Sequence, residues 1–265
     1  MTNSKGTALI TGASRGIGAI YADRLAKRGY DLILVARDAT RLAALAANLA
    51  RKTAANVTVL AADLNDKADL GKVEARLRHD ASITMLVNNA GIAAVTPLLQ
   101  SDVDAMQRMI ELNVTALTRL TYAAAPAFVA RGAGAIINIA SIVGVLPETL
   151  NGVYGATKAY VIALTQSLEH ELGGKGLRIQ AVLPGATATD IWEAAGKPWR
   201  QLPAHIVMTP EDMVDAALAG LDQGERVTLP GLQDGEEWKR YDAARRALAG
   251  KLSTSQPAPR YRVAA

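Results

Sequence analysis

The chain contains no cysteine among its 265 residues. It therefore has no disulfide framework, no thiolate nucleophile and no cysteine-ligated metal site. Aromatic residues are also scarce, at 4% of the chain. They are too few and too dispersed to form a platform on which nucleic-acid bases stack.

Long apolar runs and concentrated charge are absent as well. The N-terminal stretch MTNSKGTALITG does not resemble a basic region followed by a long apolar run, and the apolar segment near 117–140 is interrupted by Arg119 and Arg131. We therefore expect a cytoplasmic protein with no membrane partner. The net charge of +4 is scattered and densest in the C-terminal segment, so we expect no nucleic-acid partner. Because neither an H-E-x-x-H pattern nor a carboxylate cluster occurs, no metal site is predicted.

Half of the residues are apolar, which is sufficient for a sizeable core. Short, continuous apolar runs alternate with stretches of helical pattern, as expected for strands buried on both faces. This alternation predicts an α/β fold, a doubly wound, Rossmann-like parallel sheet of about seven strands with helices on both faces. The predicted strands cover residues 7–11, 31–36, 56–62, 83–89, 135–141, 178–184 and 226–230.

We expect a single domain over residues 1–252. A long connection at about 185–209 follows the sixth predicted strand and contains Trp192 and Trp199. Because long connections in compact domains are often lids or binding loops, we predict that this segment is a substrate loop. The tail at 253–265 is rich in small and polar residues and is predicted to be loosely ordered unless docked.

A glycine-rich segment, TGASRGIG from Thr11 to Gly18, follows the first predicted strand and opens a helix. Its glycines permit a tight turn and close approach of a pyrophosphate, while the helix N-terminus offers free N–H groups and a positive dipole end. A plain turn is the alternative reading. The position between a strand and a helix favours a dinucleotide-binding turn.

The end of the second predicted strand, LVARD, indicates which dinucleotide is bound. An NAD-preferring site places an acidic residue here, but this chain has Ala36 followed by Arg37. Together with Arg15 in the glycine turn, Arg37 is predicted to bind a 2′-phosphate. The alternative is that Asp38 serves as the ribose ligand, but its place before ATRLAAL fits a helix N-cap better. The sequence therefore favours NADP(H) over NAD(H).

Further motifs follow in order along the chain: ADL at 62–64, NNAG at 88–91, Asn113 in IELNVTAL, Ser141, Tyr154 with Lys158, and PGATAT at 184–189. Ser141 precedes Tyr154 by thirteen residues. In this order and spacing the sequence resembles the short-chain dehydrogenase/reductase family, in its single-domain group with T-G-x-x-x-G-x-G and Y-x-x-x-K motifs. The resemblance extends from Thr7 to about Gly231.

The resemblance implies a role for each matching residue. Asp63 would contact the adenine, and NNAG would line the cofactor. Asn113 would hold a helix irregularity and a proton-relaying water. The implied cofactor-binding set is Gly12, Ser14, Arg15, Gly16, Ile17, Gly18, Arg37, Asp63, Leu64, Asn89, Ala90, Gly91, Tyr154, Lys158, Pro184, Gly185, Thr187 and Thr189.

Tyr154 and Lys158, four positions apart on one helix face, are the candidate acid–base pair. An unperturbed phenol, with a pKa of about 10, is poorly poised at neutral pH. We expect the Lys158 ammonium to lower that pKa and to bind the cofactor ribose. Ser141 would orient the substrate oxygen, and the implied catalytic set is Asn113, Ser141, Tyr154 and Lys158.

These residues predict an NADPH-dependent carbonyl reductase, reversible as an alcohol dehydrogenase. The apolar character around Trp192 favours a hydrophobic small-molecule substrate that contacts this residue, although a tryptophan packed on the core is an equal alternative. The resemblance also implies a homodimer or homotetramer. A non-catalytic NADP-sensing module on the same fold, and a structural or nucleic-acid-binding role for the basic tail, are the alternative functions.

Overall fold

The computed structural model describes residues 5–261. Within them, seven parallel strands form one sheet in the order β3-β2-β1-β4-β5-β6-β7. This arrangement confirms the predicted fold class. The strands are β1 Thr7–Thr11, β2 Asp31–Ala36, β3 Val57–Ala61, β4 Ile83–Asn88, β5 Gly134–Ile139, β6 Leu177–Val182 and β7 Val227–Thr228.

Six of the α-helices in residues 5–261 begin at a polar side chain that caps them. Asp38 is the N-cap of the second helix, where its Oδ1 accepts a hydrogen bond from the Arg41 backbone N–H at 2.9 Å. This contact confirms the predicted capping role. The helices are α1 Gly16–Lys27, α2 Ala39–Lys52, α3 Lys67–His79, α4 Val103–Ile110, α5 Leu117–Arg131, α6 Gly152–Leu172, α7 Ile191–Ala194, α8 Pro210–Asp222 and α9 Gly235–Arg246.

Both faces of the sheet are covered because successive side chains of a strand point to opposite faces. In β1, Ala8 and Ile10 pack in one core cluster with residues of α1, α2 and α8. Leu9 packs in a second cluster with residues of α3, α5 and α6. Burial on both faces explains why the strands appear in the sequence as continuous apolar runs.

The order of the strands determines where a ligand can bind. β1 lies between β2 and β4, so the chain reverses its direction of winding there. In open parallel sheets, ligands bind in the crevice outside the carboxyl ends of the strands at such a switch point. The glycine turn follows β1 and the NNAG segment begins at the end of β4, so both lie at this crevice.

The chain divides into two compact units, Met1–Pro230 and Gly231–Ala265. The first contains the sheet. In the second, Asp234 caps α9, and the rings of Trp238 and Tyr241 lie 5.2 Å apart. The expected single domain over 1–252 stays a prediction, and residues 262–265 of the predicted tail lie outside the described residues. Across 5–261, every helix is too short or too polar to cross a bilayer.

Candidate active site

Two positions of the glycine turn after β1 disfavour any residue other than glycine. Gly12 has φ of 65°, and a Cβ built on it would lie 2.8 Å from Asn89 Nδ2 and 2.9 Å from Ala90 Cα. Gly16 has φ of 53°, in the left-handed region that favours glycine. Substitution at either position would therefore strain the backbone. Substitution of Gly12 would also displace the end of β4.

Hydrogen bonds join the ends of β1 and β4 directly. Asn89 Nδ2 donates to the backbone oxygens of Thr11 and Gly12 at 2.9 and 3.2 Å. Thr11 Oγ1 accepts from the backbone N–H groups of Asn89 and Ala90, both at 3.0 Å. Asn89 and Ala90 belong to the predicted cofactor site, whereas Thr11 was assigned no role from the sequence. The Thr11 hydroxyl holds the backbone of both residues in place.

Both arginines predicted for the 2′-phosphate lie beside a carboxylate. Arg15 Nη1 is 3.3 Å from Asp190 Oδ2, which joins the glycine turn to the predicted substrate loop. Arg37 Nη1 is 3.9 Å from Asp63 Oδ2. The Arg37 side chain is 72% exposed, so its guanidinium remains accessible. Ala36 ends β2 and contributes no carboxylate there.

Asn113 lies in a π-helical turn, Glu111–Ala116, between α4 and α5. Its Oδ1 accepts from the Ile92 backbone N–H at 3.0 Å, and its Nδ2 donates to the Ile92 backbone oxygen at 2.9 Å and to Thr157 Oγ1 at 3.2 Å. This turn is the helix irregularity that the family resemblance implies. Such π-turns often mark functional sites, and this one brings the Asn113 amide against α6.

Ser141 follows the end of β5 and is nearly buried. Its hydroxyl donates to the Pro184 backbone oxygen at 3.4 Å. The turn that follows is held against α6 at Gly144, where an added Cβ would lie 2.8 Å from the backbone carbonyl carbon of Lys158. The close approach places the chain segment that carries Ser141 beside the helix that carries Tyr154 and Lys158.

Tyr154 and Lys158 lie on α6 and are 8% and 6% exposed. The Lys158 Nζ is 5.9 Å from the Tyr154 ring centroid and donates to the Ile139 backbone oxygen at 2.8 Å. Burial raises the pKa of the Tyr154 phenol to about 12, with a hydrogen bond to Ser141 acting in the opposite direction. Burial also lowers the pKa of the Lys158 ammonium from 10.5 to about 8.

The pKa of Tyr154 therefore shifts opposite to the sequence-based expectation. The spacing of the two residues predicts that the ammonium lowers the phenol pKa, but removal of the ring from water is the largest cause of the observed shift, and Lys158 is not among its causes. Spacing alone cannot indicate burial. The raised pKa keeps the phenol protonated at neutral pH, which is the form that can donate a proton.

The catalytic candidates converge around Gly91. A Cβ built on Gly91 would lie 3.1 Å from Asn113 Oδ1 and 3.7 Å from Lys158 Nζ. The Ser141–Tyr154 hydrogen bond joins the remaining pair. Strand β4, the π-turn and α6 thus bring residues that are distant in sequence into one group.

Trp192 lies in the predicted substrate loop. Its indole N–H donates to the Thr187 backbone oxygen at 3.0 Å, so the ring is bound to the base of its own loop. Its contact with substrate stays a prediction. The hydroxyls of Thr187 and Thr189 also form local bonds, to the backbone oxygens of Gly185 and Thr187 at 3.3 and 3.4 Å.

The remaining predicted cofactor residues lie on these same segments. Ser14 and Ile17 belong to the glycine turn and the first turn of α1, Leu64 is buried after β3, and Pro184 and Gly185 follow β6. These segments lie beyond the carboxyl ends of β1, β3 and β6. Across residues 5–261, no three histidine or carboxylate side chains are grouped so as to hold a metal ion.

Lys158→Met is expected to raise the melting temperature at neutral pH. It removes a buried cation that has no carboxylate within ion-pair distance among residues 5–261. Because the folded-state pKa of about 8 is below the ordinary 10.5, the unfolded wild type binds more protons between these values. Wild-type stability therefore rises with pH across this window. The difference in melting temperature between Lys158→Met and the wild type should become smaller over the same range.

Thermal unfolding of both proteins across this pH window checks the prediction. Lys52→Met, at an exposed position in α2, is the matched control and should follow the wild type. A melting-temperature difference for Lys158→Met that stays constant through the window would contradict a lowered pKa at this site.

The fold and the converging residues define the class to which the chain belongs. Residues 6–198 match the family model described as short chain dehydrogenase. An uncharacterized oxidoreductase from Staphylococcus saprophyticus is 33% identical over 223 residues, which cover 84% of this chain and 93% of that protein. The chain belongs to the short-chain dehydrogenase family of oxidoreductases, which confirms the resemblance drawn from the motifs.

Two solved structures are similar over nearly the whole chain. A short-chain dehydrogenase from Sphingobium yanoikuyae in complex with NADPH is 51% identical, with a TM-score of 0.94, and the match covers 97% of this chain and 100% of that one. The bulky-bulky ketone specific alcohol dehydrogenase from Comamonas testosteroni is 45% identical, with a TM-score of 0.90, over 98% of this chain and 99% of that one.

Proposed function

We propose that this protein is an NADPH-dependent carbonyl reductase that converts a ketone to a secondary alcohol. The observation that carries the proposal is the group formed by Ser141, Tyr154, Lys158 and Asn113 at the switch point of the sheet. The NADPH complex of the Sphingobium yanoikuyae protein and the ketone specificity stated for the Comamonas testosteroni protein support it.

The residues present fit a nicotinamide dinucleotide. Gly12 is packed so closely on the end of β4 that it has no room for a Cβ, so a phosphate can approach the backbone of the glycine turn at this position. Lys158 is a buried ammonium with one acceptor given by the structure, the Ile139 backbone oxygen, so it can donate further bonds to ribose hydroxyls. Arg37 and Arg15 are exposed enough to bind a 2′-phosphate.

The bound cofactor supplies the hydride that reaches the carbonyl carbon. In the proposed mechanism Tyr154 Oη donates its proton to the carbonyl oxygen, which completes the alcohol. Ser141 donates a hydrogen bond to the same oxygen and holds it near the phenol. Lys158 stabilises the phenolate that is left, and Asn113 positions the water through which the proton is replaced.

Initial rates of NADPH oxidation with a panel of bulky ketones test the proposal. We expect ketone-dependent turnover that yields the corresponding alcohol. The alternative, a non-catalytic NADP-sensing module, predicts NADPH binding without ketone-dependent oxidation. Binding is measured separately by calorimetry, so a protein that binds NADPH and reduces no ketone would favour the sensor.

Gly91→Ala is expected to reduce kcat by up to about tenfold, because the new Cβ would shift its neighbour by a few tenths of an ångström and a full ångström costs roughly a hundredfold. The new Cβ would press on Asn113 Oδ1 from 3.1 Å and lie 3.7 Å from Lys158 Nζ. Gly71→Ala, where an added Cβ meets nothing within 4 Å, is the matched control and should keep wild-type kcat. Equal kcat for both variants would argue against the proposed roles of Asn113 and Lys158.

We infer that residues 190–208 act as a substrate lid. The base of this segment is closed by backbone bonds, from Met208 N to the Ala186 oxygen and from Ala188 N to the Met208 oxygen, each at 2.9 Å. The fluorescence of Trp192 and Trp199 should change when substrate is added to the NADP complex. No change, together with unaltered hydrogen exchange across the segment, would identify a static surface element.

We also infer that a second copy of the chain covers exposed apolar side chains on α4–α6. Val103 is 76% exposed and Tyr122 is 66% exposed. Tyr160 of α6 hydrogen-bonds Thr118, one helical turn before Tyr122 in α5, at 2.9 Å. Clusters of exposed apolar side chains mark interaction surfaces. Sedimentation analysis should show a dimer or tetramer, and Tyr122→Glu should shift the population toward monomer.

A further inference from the structure

A cavity of about 410 Å³ opens beside the start of α6. Its volume falls in the range of small-molecule sites, roughly 300–1,000 Å³. Val95, Pro97, Leu98 and Leu150 provide an apolar lining. Lys197, from the segment predicted to be the substrate loop, is the one charged residue that lines it.

The cavity adjoins the proposed catalytic group. Gly152 lines the cavity and lies two residues before Tyr154 in α6. Leu150 lines it as well and packs against the apolar cluster that contains Tyr154 and Val143. A substrate whose carbonyl lies at Tyr154 can therefore extend an apolar arm into this cavity.

The cavity wall is held by a buried residue. Asn151 Nδ2 donates to the Thr96 backbone oxygen at 2.6 Å and to Ser101 Oγ at 3.2 Å. Its Oδ1 accepts from the backbone N–H groups of Val153 and Tyr154. The same side chain thus fixes the segment after β4 and the first turn of the helix that carries Tyr154, so the cavity has a defined position relative to the phenol.

The ammonium of Lys197 has no carboxylate within ion-pair distance among residues 5–261. Glu193, the nearby acid on the same loop, faces Arg200 at 3.5 Å. The Lys197 backbone N–H donates to the Trp192 oxygen at 3.0 Å, which anchors the residue to α7. An apolar cavity with one unneutralised cation is complementary to an apolar group that ends in an anion.

We propose that Lys197 is a specificity-determining residue that selects ketones whose apolar arm ends in a carboxylate. The proposal rests on the reductase function given above and narrows its substrate class. Lys197 binds the carboxylate with a charge-assisted hydrogen bond, while the apolar lining holds the arm. An ester or amide at the same position receives the apolar contacts and loses the charge interaction.

Paired substrates test this proposal. A bulky ketone with a carboxylate at the end of one arm, and its methyl ester, are compared by kcat/KM in the wild type, Lys197→Met, Lys197→Glu and Lys197→Arg. Lys197→Met should lower the acid-to-ester ratio of kcat/KM by about fivefold, mainly through KM, which is the upper end of the range for an exposed charge pair. Lys197→Glu should lower the ratio further, and Lys197→Arg should restore it.

Lys52→Met carries the same charge change on α2 and should leave the acid-to-ester ratio at the wild-type value. The effect at Lys197 should also weaken with added salt, because the charge is accessible to solvent. If both ketones are reduced and the ratio is the same in the wild type and Lys197→Met, Lys197 does not select the carboxylate. If the wild type reduces neither ketone, the reductase function itself is wrong.

Discussion

Tyr154→Phe should abolish nearly all ketone reduction, with kcat lowered roughly 100- to 10,000-fold, the range for loss of a general acid. The substitution deletes one hydroxyl and keeps a ring of the same shape in a site that is 8% exposed. It also removes the hydrogen bond between Tyr154 and Ser141. Because the phosphate contacts are elsewhere, the Kd for NADPH should stay within a few-fold of the wild-type value.

Steady-state kinetics and calorimetric titration with NADPH measure these two quantities separately. Tyr160→Phe, on the same helix and 38% exposed, is the matched control and should retain wild-type kcat. A Tyr154→Phe enzyme that kept a tenth or more of wild-type kcat would show that the proton comes from another group.

The direction of the Tyr154 pKa shift predicts how the two reaction directions respond to pH. With the pKa raised by burial to about 12, the phenol is protonated at neutral pH and ready to donate. Alcohol oxidation requires the deprotonated form, so its rate should rise as pH increases toward 12, while reduction should fall only as the pH approaches that value. Oxidation that is fastest at acid pH would contradict this assignment.

Replacement of Ala36 by Asp together with Arg37 by Ala should convert an NADPH-preferring enzyme into one that prefers NADH. A charge-assisted hydrogen bond contributes about 1.5–3 kcal/mol, so loss of Arg37 alone should weaken NADPH roughly ten- to a hundredfold. The carboxylate placed at the end of β2 would accept from the ribose 2′-hydroxyl and repel a 2′-phosphate.

The ratio of kcat/KM for the two cofactors with one ketone measures the change. Arg51→Ala, at the exposed far end of α2, makes the same charge change and should leave the ratio unaltered. NADH binding should respond little to Arg37→Ala, since NADH lacks the phosphate. A wild-type ratio in favour of NADH would contradict the assignment of Arg37. It would indicate that Asp38 or backbone groups bind the ribose instead.

The fold was largely predictable because local signals agreed with the tertiary arrangement. The strands other than β3 at the edge of the sheet are largely buried on both faces, so they appear as continuous apolar runs, and all seven predicted strands have bounds within about two residues of those observed. The shortest is β7, predicted at 226–230 but observed only at Val227–Thr228. It pairs on one side with β6, and Pro230 has no N–H to continue the ladder.

The site was predictable only as a set of positions. Motif order placed Asn113, Ser141, Tyr154 and Lys158 in one group, but not the degree of burial that governs the Tyr154 pKa. Sequence patterns also gave no sign that Arg15 faces Asp190, because these residues are 175 positions apart and meet only in the folded chain. The cavity at Lys197 is formed by three segments that are distant in sequence, so it could not be predicted from sequence patterns either.

Reduction of a bulky ketone with NADPH deuterated at the transferable position tests the central claim most directly. The proposed function predicts one deuterium at the carbinol carbon of the alcohol for each NADPH oxidised, with the hydroxyl proton supplied through Tyr154. The same experiment with Tyr154→Phe should yield almost no labelled alcohol. Tight NADPH binding without any labelled alcohol from the wild type would contradict the claim and identify a cofactor-binding protein that performs no reduction.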